Sequence, residues 1–97
     1  MDDLIVKQLE DLLQYKFKDI NLLQKSLTHR SFDGENNERL EFLGDSILNF
    51  TIAEALFKKF PNIPEGDLSR LRASLVKSGT LADIASKIKL GDFIFLS

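Results

Sequence analysis

Apolar residues recur at intervals of three and four along most of this chain, which is the spacing of amphipathic helices. The pattern predicts a first helix over residues 3–14 and a shorter second helix after Asp19, a residue suited to cap its N-terminus. A long helix is predicted from Glu38 to Phe60, because Pro61 cannot continue it. Two more helices are marked by Leu68, Leu71 and Leu75, and then by Leu81, Ile84, Ala85 and Ile88.

Polar and turn-forming residues separate these elements. The segment SFDGENN is predicted to be a loop with a turn at Asp33 and Gly34, and either Asn36 or Asn37 can cap the long helix that follows. The final segment LGDFIFLS is interpreted as a stop signal at Gly91 followed by a short apolar tail. Because no segment has a convincing strand pattern, we expect an all-α domain of about five helices.

The long helix is unusually apolar. Eleven of the eighteen residues from Leu40 to Phe57 are apolar, and on a wheel of about 100° per residue they point in every direction. A helix that is apolar all round is normally buried, so this one is predicted to form the center of the domain.

Three carboxylates interrupt the start of this helix. Glu38, Glu41 and Asp45 fall within about 60° of each other on the wheel, where like charges repel and burial without compensation is costly. A Mg²⁺ ion would compensate them, and Gly44, which costs the helix about 1 kcal/mol relative to alanine, would let another group approach closely. The alternative is a structural cluster, in which the helix dipole favors Glu38 and Arg39 or another base pairs with Glu41 or Asp45. The spacing leaves both interpretations open.

Composition narrows the function classes. The 97 residues carry 13 basic and 15 acidic side chains, a net charge of -2, so any contact with nucleic acid must be local. The absence of cysteine excludes disulfides, thiolate zinc sites and cysteine nucleophiles, and is consistent with the cytosol. The acidic start is unlike a signal peptide, and no apolar run reaches the roughly 18 residues of a membrane span. We therefore expect a cytoplasmic protein without a membrane anchor.

Histidine chemistry is limited to one residue. His29 is the single histidine, which excludes a nuclease that needs two, and it is expected to be structural rather than a general base. Arg70, Arg72 and Lys77 are candidates for phosphate contacts, although a solvated helix face is the favored interpretation of each.

The segment NERLEFLGDS resembles the signature motif of the ribonuclease III family, the endonucleases of double-stranded RNA. The match continues in order along the chain, with LLQKSLTHRSF before the signature and EGDLSRLRASLV and LGDFIFLS after it. A signature of this length with flanking segments at the family's spacing is far more specific than a short motif such as GxGxxG. The resemblance implies that residues 1–97 are a partial ribonuclease III nuclease domain, built around a long central signature helix.

The family pattern extends beyond what this sequence matches. Family members continue into a second acidic motif that completes the nuclease domain, and bacterial members then add a double-stranded-RNA-binding domain. Neither is matched within these 97 residues. We therefore expect a nuclease domain truncated at its C-terminal end and inactive on its own.

The resemblance also assigns roles to individual residues. It makes Glu41 and Asp45 the first half of a Mg²⁺ site, which positions the attacking water and neutralizes the scissile phosphate. Glu38 matches a position near the cleavage site, and Glu65 matches another acid that lines the same valley between the two nuclease domains of a homodimer. Phe42 matches an aromatic that enters a socket on the partner subunit. A core phenylalanine is the other interpretation of Phe42, and the sequence does not separate the two.

The implied activity is Mg²⁺-dependent hydrolysis of double-stranded RNA, as in the processing of rRNA and mRNA precursors. Each subunit is expected to cut one strand, which leaves two-nucleotide 3′ overhangs. The alternative function is a catalytically inert helical module for dimerization or RNA binding. Such relatives are expected to lose Glu41 or Asp45, and because this chain keeps both, the resemblance favors a nuclease.

Overall fold

A computed structural model describes residues 1–95 and confirms the all-α fold. Within that range there is no strand, only an isolated parallel bridge between Thr28 and Phe95. The helices, in chain order, are α1 Asp3–Leu13, α2 Ile20–Ser26, α3 Glu38–Lys59, α4 Glu65–Val76 and α5 Ser78–Lys87, followed by a short 3-10 helix at Leu90–Phe93.

The first two helices begin at aspartates whose side chains cap them. Asp2 accepts a hydrogen bond from the backbone N–H of Leu4 at 2.7 Å, and Asp19 accepts one from the N–H of Leu22 at 3.1 Å. Each bond satisfies a donor that has no partner inside its helix. The predicted cap at Asp19 is therefore confirmed.

Gly91 does not end the last α-helix, contrary to the interpretation of the sequence. The interruption falls earlier, at Lys89, which adopts a left-handed conformation with φ of 57° and cannot continue a right-handed helix. Gly91 lies inside the 3-10 helix instead. Of the predicted apolar tail, Leu96 and Ser97 lie outside the described residues.

The end of the described chain runs beside the end of α2. The backbone N–H of Phe95 donates to the carbonyl oxygen of Leu27 at 2.8 Å, and the N–H of His29 donates to the carbonyl oxygen of Phe95 at 2.8 Å. These two bonds close the fold by bringing its last segment against α2.

The core lies at this end of the molecule, between α1, α2 and the C-terminal segment. Leu9 is completely buried, and burial of a leucine contributes roughly 1.5–3 kcal/mol. The other buried members of the cluster are Val6, Leu23 and Leu27, with Phe17, Ile20, Leu90, Phe93 and Ile94 packed against them.

The burial expected of α3 from its apolar pattern is not provided by residues 1–95. Leu56 is its only buried residue, whereas the side chains of Phe42, Phe50 and Phe57 are 78%, 68% and 73% exposed. Helix α4 packs along one side of α3, and the described residues do not supply enough helices to surround the remaining sides. Apolar side chains do occur around α3 as predicted, but residues 1–95 contain no further segment that packs over its exposed sides.

The overall dimensions also show that the chain is less compact than an ordinary domain of the same length. The radius of gyration is 15.8 Å, against about 12.5 Å expected for a compact domain of this length. The accessible surface is 7823 Å², against roughly 5,600 Å² for a folded monomer of this mass. The excess of about 2,200 Å² on this one chain is larger than the roughly 800 Å² that each partner buries in a standard protein–protein interface. No helix within residues 1–95 is long and apolar enough to cross a lipid bilayer.

Candidate active site on the long helix

The start of α3 is fixed to the core by two asparagines. The backbone N–H of Asn37 donates to the carbonyl oxygen of Thr28 at 2.8 Å, and its side-chain amide donates to the carbonyl oxygen of Ser26 at 3.1 Å. The side-chain oxygen of Asn36 accepts from the N–H of Glu38 at 3.0 Å. Asn37 therefore occupies the cap position while Asn36 supplies the capping bond, which resolves the choice that the sequence left open.

Glu41 and Asp45 lie on one side of α3, one turn apart. Their backbones are separated by about 6 Å along the helix axis at a rise of ~1.5 Å per residue. Both residues are exposed, and within residues 1–95 neither carboxylate forms an ion pair or accepts a side-chain hydrogen bond. Two carboxylates therefore face solvent on the same side of the helix with no partner from the described chain.

The acids at the start of α3 do not carry the cost of burial that the apolar helix suggested. Glu38, Glu41 and Asp45 are all exposed, so no buried charge has to be compensated in this chain. Repulsion between neighbors at this spacing is then only about 0.2–0.5 kcal/mol. A penalty of burial therefore does not indicate a metal at these acids. Their placement on one side of α3 is the feature that needs an explanation.

The helix dipole explains two of the three acids. Glu38 and Glu41 lie in the first turn of α3, where a negative charge contributes about 0.3–1 kcal/mol of stability. Asp45 lies two turns into the helix, where this effect has faded. Asp45 thus has no structural role among the described contacts, and it is the acid that most clearly indicates a functional one.

The proposed structural partner of these acids is not found. Arg39 is exposed and forms no ion pair with any acid in the described part of the chain. The two ion pairs found within residues 1–95 lie elsewhere, between Lys58 and Glu54 and between Arg70 and Asp67. The ion pair expected in the structural interpretation of these acids is therefore absent within residues 1–95.

Gly44 lies between the acids on α3. A Cβ built at Gly44 would meet nothing within 4 Å, so no contact in this chain requires glycine there. Glycine at an exposed helix position nevertheless costs about 1 kcal/mol relative to alanine. The glycine is compatible with the close approach of a group from outside residues 1–95.

Glu65 lies at the other end of α3 from the acids. The last residue of α3, Lys59, is about 21 Å along the axis from Asp45, and Glu65 begins α4 just after the following turn. Within the described residues, no three acidic or histidine side chains come together to hold a metal. One copy of this chain thus brings Glu41 and Asp45 together but leaves Glu65 apart.

Phe42 projects from the same turn as Glu41. Because its side chain is 78% exposed, Phe42 is not a core residue of this chain. Its exposed apolar neighbors on α3 are Leu43, Ile47, Phe50 and Phe57, which recur at intervals of three, four and seven. This spacing is typical of a helix surface that packs against another helix.

His29 forms a local hydrogen bond in the loop before α3, and its structural role stays a prediction. Its Nδ1 accepts a hydrogen bond from the backbone N–H of Ser31 at 3.0 Å. The backbone of His29 also joins the bridge to Phe95. These contacts occupy His29 in the loop that precedes α3.

One candidate residue was missed by the sequence reasoning. Lys25, near the end of α2, lines a cleft together with Glu38 and Arg39 of α3. The only signal in the sequence is that Lys25 lies in the segment that precedes the signature, since the two helices are brought together by the fold alone.

The chain is similar to known proteins over most of its length. Residues 19–97 match a family model described as ribonuclease-III-like. The ribonuclease 3 of Marinomonas sp. strain MWYL1 is 59% identical over 92 residues, and that of Chromobacterium violaceum is 53% identical over 90 residues. These alignments cover 95% and 93% of this chain but 40% and 38% of the relatives. The chain therefore spans about two fifths of the length of these relatives.

Solved structures extend the similarity to three dimensions. The nuclease domain of ribonuclease III from Campylobacter jejuni superposes with a TM-score of 0.89 at 54% identity, covering 95% of this chain and 65% of the solved one. That structure was described for flexibility in a region involved in dimer formation. A second structure of the same domain has the same TM-score at 52% identity and covers the whole of this chain.

Proposed function

Because the chain belongs to the ribonuclease III family, we propose that the protein is an endoribonuclease that hydrolyzes double-stranded RNA with Mg²⁺. The observation that carries this proposal is the pair Glu41 and Asp45. They face solvent one turn apart on α3, and no described residue neutralizes them. Asp45 in particular has no role in capping or ion pairing that would explain it.

The two carboxylates fit the chemistry of a magnesium ligand. Mg²⁺ prefers carboxylate and phosphate oxygens together with several waters, which an exposed pair on a helix can accommodate. When bound, Mg²⁺ would supply Lewis-acid stabilization of the scissile phosphate and a more acidic water. Glu41 and Asp45 would hold the ion at the surface of α3, where a duplex has access from solvent.

The number of charges indicates that the site is a half-site. A two-metal center brings four positive charges, whereas Glu41 and Asp45 supply two negative ones. Within residues 1–95 no third acidic or histidine side chain joins them in a group that could hold a metal. We propose that these 97 residues alone do not cleave RNA and that further acids complete the site.

We propose that the active assembly is a homodimer formed through α3. Phe42 is almost fully exposed beside Glu41, and the excess surface of the chain exceeds the area of a standard interface. A dimer of this kind gives an exposed aromatic anchor a place to be buried. Glu65 is remote from Asp45 within one chain. The two residues can therefore line the same valley only if they come from different copies of the chain.

The expected substrates are duplexes within rRNA and mRNA precursors, cut in the cytoplasm. A family that recognizes A-form shape and 2′-hydroxyls needs few base-specific contacts. The net charge of -2 supports local contacts with RNA over attraction by the whole surface.

A cleavage assay tests the proposal. A long RNA duplex is incubated with the 97-residue chain and with a form extended to the length of its relatives, with and without Mg²⁺. We expect the extended form alone to produce short duplexes with two-nucleotide 3′ overhangs, and only with Mg²⁺. The same RNA in single-stranded form and a DNA duplex of the same sequence are the controls.

Three results would contradict parts of this proposal. Equal cutting of single-stranded RNA would contradict the assignment of the substrate. Robust cutting by the 97-residue chain would contradict the half-site. An extended form that binds the duplex without cutting it would favor the inert RNA-binding module.

A further inference from the structure

Two basic side chains from different helices converge beside the acids. Lys25 of α2 and Arg39 of α3 both line the cleft of about 750 Å³ that includes Glu38. The same two residues also line a smaller, adjoining cleft formed by the loop before α3. Both clefts therefore lie between Lys25 and Arg39, next to the end of α3 that carries the candidate metal ligands.

Neither cation is neutralized by the described chain. Lys25 is half-buried and Arg39 is exposed, yet neither side chain forms an ion pair or a hydrogen bond within residues 1–95. This is notable because two carboxylates, Glu35 and Glu38, line the same clefts without coming within ion-pair distance. A half-buried ammonium without a partner is a favorable place for an anion to bind.

The loop that forms the smaller cleft is held firmly. The side-chain amide of Asn36 donates to the carbonyl oxygens of Phe32 and Gly34 at 3.0 and 3.4 Å, while its oxygen caps α3. Gly34 adopts a φ of 85°, which favors glycine, and so permits the tight turn. The position of Arg39 relative to Lys25 is therefore set by the fold.

We propose that Lys25 and Arg39 bind phosphates of the RNA backbone next to the scissile one and position the duplex over Glu41 and Asp45. This inference rests on the proposed function and assigns the residues a positioning role. The larger cleft has a volume within the roughly 300–1,000 Å³ of ordinary ligand sites and is open to solvent, so a duplex backbone can reach both cations. In an acidic chain, such a pair supplies the local positive charge that RNA binding needs.

The test measures binding of a fluorescently labeled RNA duplex by anisotropy, in EDTA so that no cleavage occurs, between 50 and 200 mM KCl. Each phosphate contact contributes about 0.9 to the slope of log K against log salt. We expect Lys25→Gln and Arg39→Gln each to reduce that slope by about 0.9 and to weaken binding about 3- to 10-fold at 100 mM KCl. The double variant should lose about twice the slope.

Four further variants make the test specific. Lys25→Arg and Arg39→Lys keep the charge and should retain the slope, which separates the loss of a phosphate contact from a folding defect. Glu35→Gln removes the acid at the edge of the smaller cleft and should tighten binding. Lys7→Gln, on exposed α1 outside both clefts, is the matched control and should leave the slope unchanged.

The outcomes distinguish this inference from the proposed function. Unchanged slopes in Lys25→Gln and Arg39→Gln, or an equal loss in Lys7→Gln, would overturn the positioning role while leaving cleavage untouched. With Mg²⁺ and the extended form, Lys25→Gln should raise KM through the lost phosphate contact and lower kcat if the duplex is also misplaced over the acids. Unchanged KM and kcat would contradict the role. Absence of both duplex binding in EDTA and duplex cleavage with Mg²⁺ by the unsubstituted extended form would overturn both proposals.

Discussion

The side-chain oxygen of Asn36 accepts a hydrogen bond of 3.0 Å from the backbone N–H of Glu38, the first residue of α3. This contact ties the loop before α3 to the helix that carries the candidate ligands. The bond satisfies one of the donors that a helix N-terminus leaves unpaired.

Loss of this cap should destabilize the protein. Asn36→Ala is expected to lower the free energy of unfolding by about 1 kcal/mol, within the 0.5–2 kcal/mol range of cap deletions. Urea unfolding followed by circular dichroism measures the change. Asn62→Ala is the matched control, because Asn62 is exposed in the turn after α3 and should change stability by less than about 0.5 kcal/mol. Equal effects of the two substitutions would contradict the capping role.

The small core between α1 and α2 should dominate stability. Leu9→Ala removes the one completely buried side chain of that cluster and is expected to cost about 2–5 kcal/mol. Leu12→Ala changes the same residue type on the same helix at a position that is 39% exposed, and should cost far less. Thermal unfolding of the two variants compares them directly, and a similar fall in both midpoints would place the core elsewhere.

Gly44→Ala should separate stability from function. With nothing within 4 Å of the added Cβ, alanine is expected to stabilize α3 by about 1 kcal/mol. If Gly44 admits a group from outside residues 1–95, the same variant of the extended form should cleave RNA more slowly. A variant that is both more stable and fully active would show that Gly44 serves no close approach.

Phe42→Ala tests the proposed dimer. Because Phe42 is almost fully exposed, its removal should change the stability of the monomer by less than about 0.5 kcal/mol. As an interface anchor it should instead weaken association by 2 kcal/mol or more, about 30-fold or greater in Kd, when measured by sedimentation equilibrium. Tyr15→Ala removes another exposed aromatic, outside α3, and should leave association unchanged. A large loss of monomer stability without a change in association would restore the core interpretation.

Local patterns in the sequence were sufficient to predict the helices. The capping carboxylate of Asp19 and the block at Pro61 act within a few residues, so α2 and the end of α3 were placed within one or two positions. The predicted stop at Gly91 was wrong because glycine is only a weak stop signal. The left-handed residue is Lys89, and nothing in the local sequence predicts that conformation there. Interactions between residues close in sequence can be predicted from the sequence alone. Which residue breaks a helix also depends on the packing around it.

Tertiary relationships were harder to predict. The apolar surface of α3 indicated that the helix is buried. The sequence does not show which segment packs against that surface, and the described residues cover only one side of the helix. The relation between Lys25 and Arg39 depends on how α2 meets α3, which is fixed by the hydrogen bonds of Asn37 to Ser26 and Thr28. The pair Glu41 and Asp45 was predictable because both lie on one helix at a fixed spacing.

The most direct test of the account is the rate of RNA-duplex cleavage by the extended form with Glu41→Gln or Asp45→Asn, measured across a range of Mg²⁺ concentrations. Glu54→Gln is the matched control, because Glu54 is an exposed acid on another side of α3, paired with Lys58 at 3.8 Å. If Glu41 and Asp45 hold Mg²⁺, each substitution should slow cleavage at least about 100-fold, the scale of losing one transition-state-stabilizing group. Glu54→Gln should cleave normally. Full activity of both site variants, or an equal loss in Glu54→Gln, would contradict the assignment of the active site.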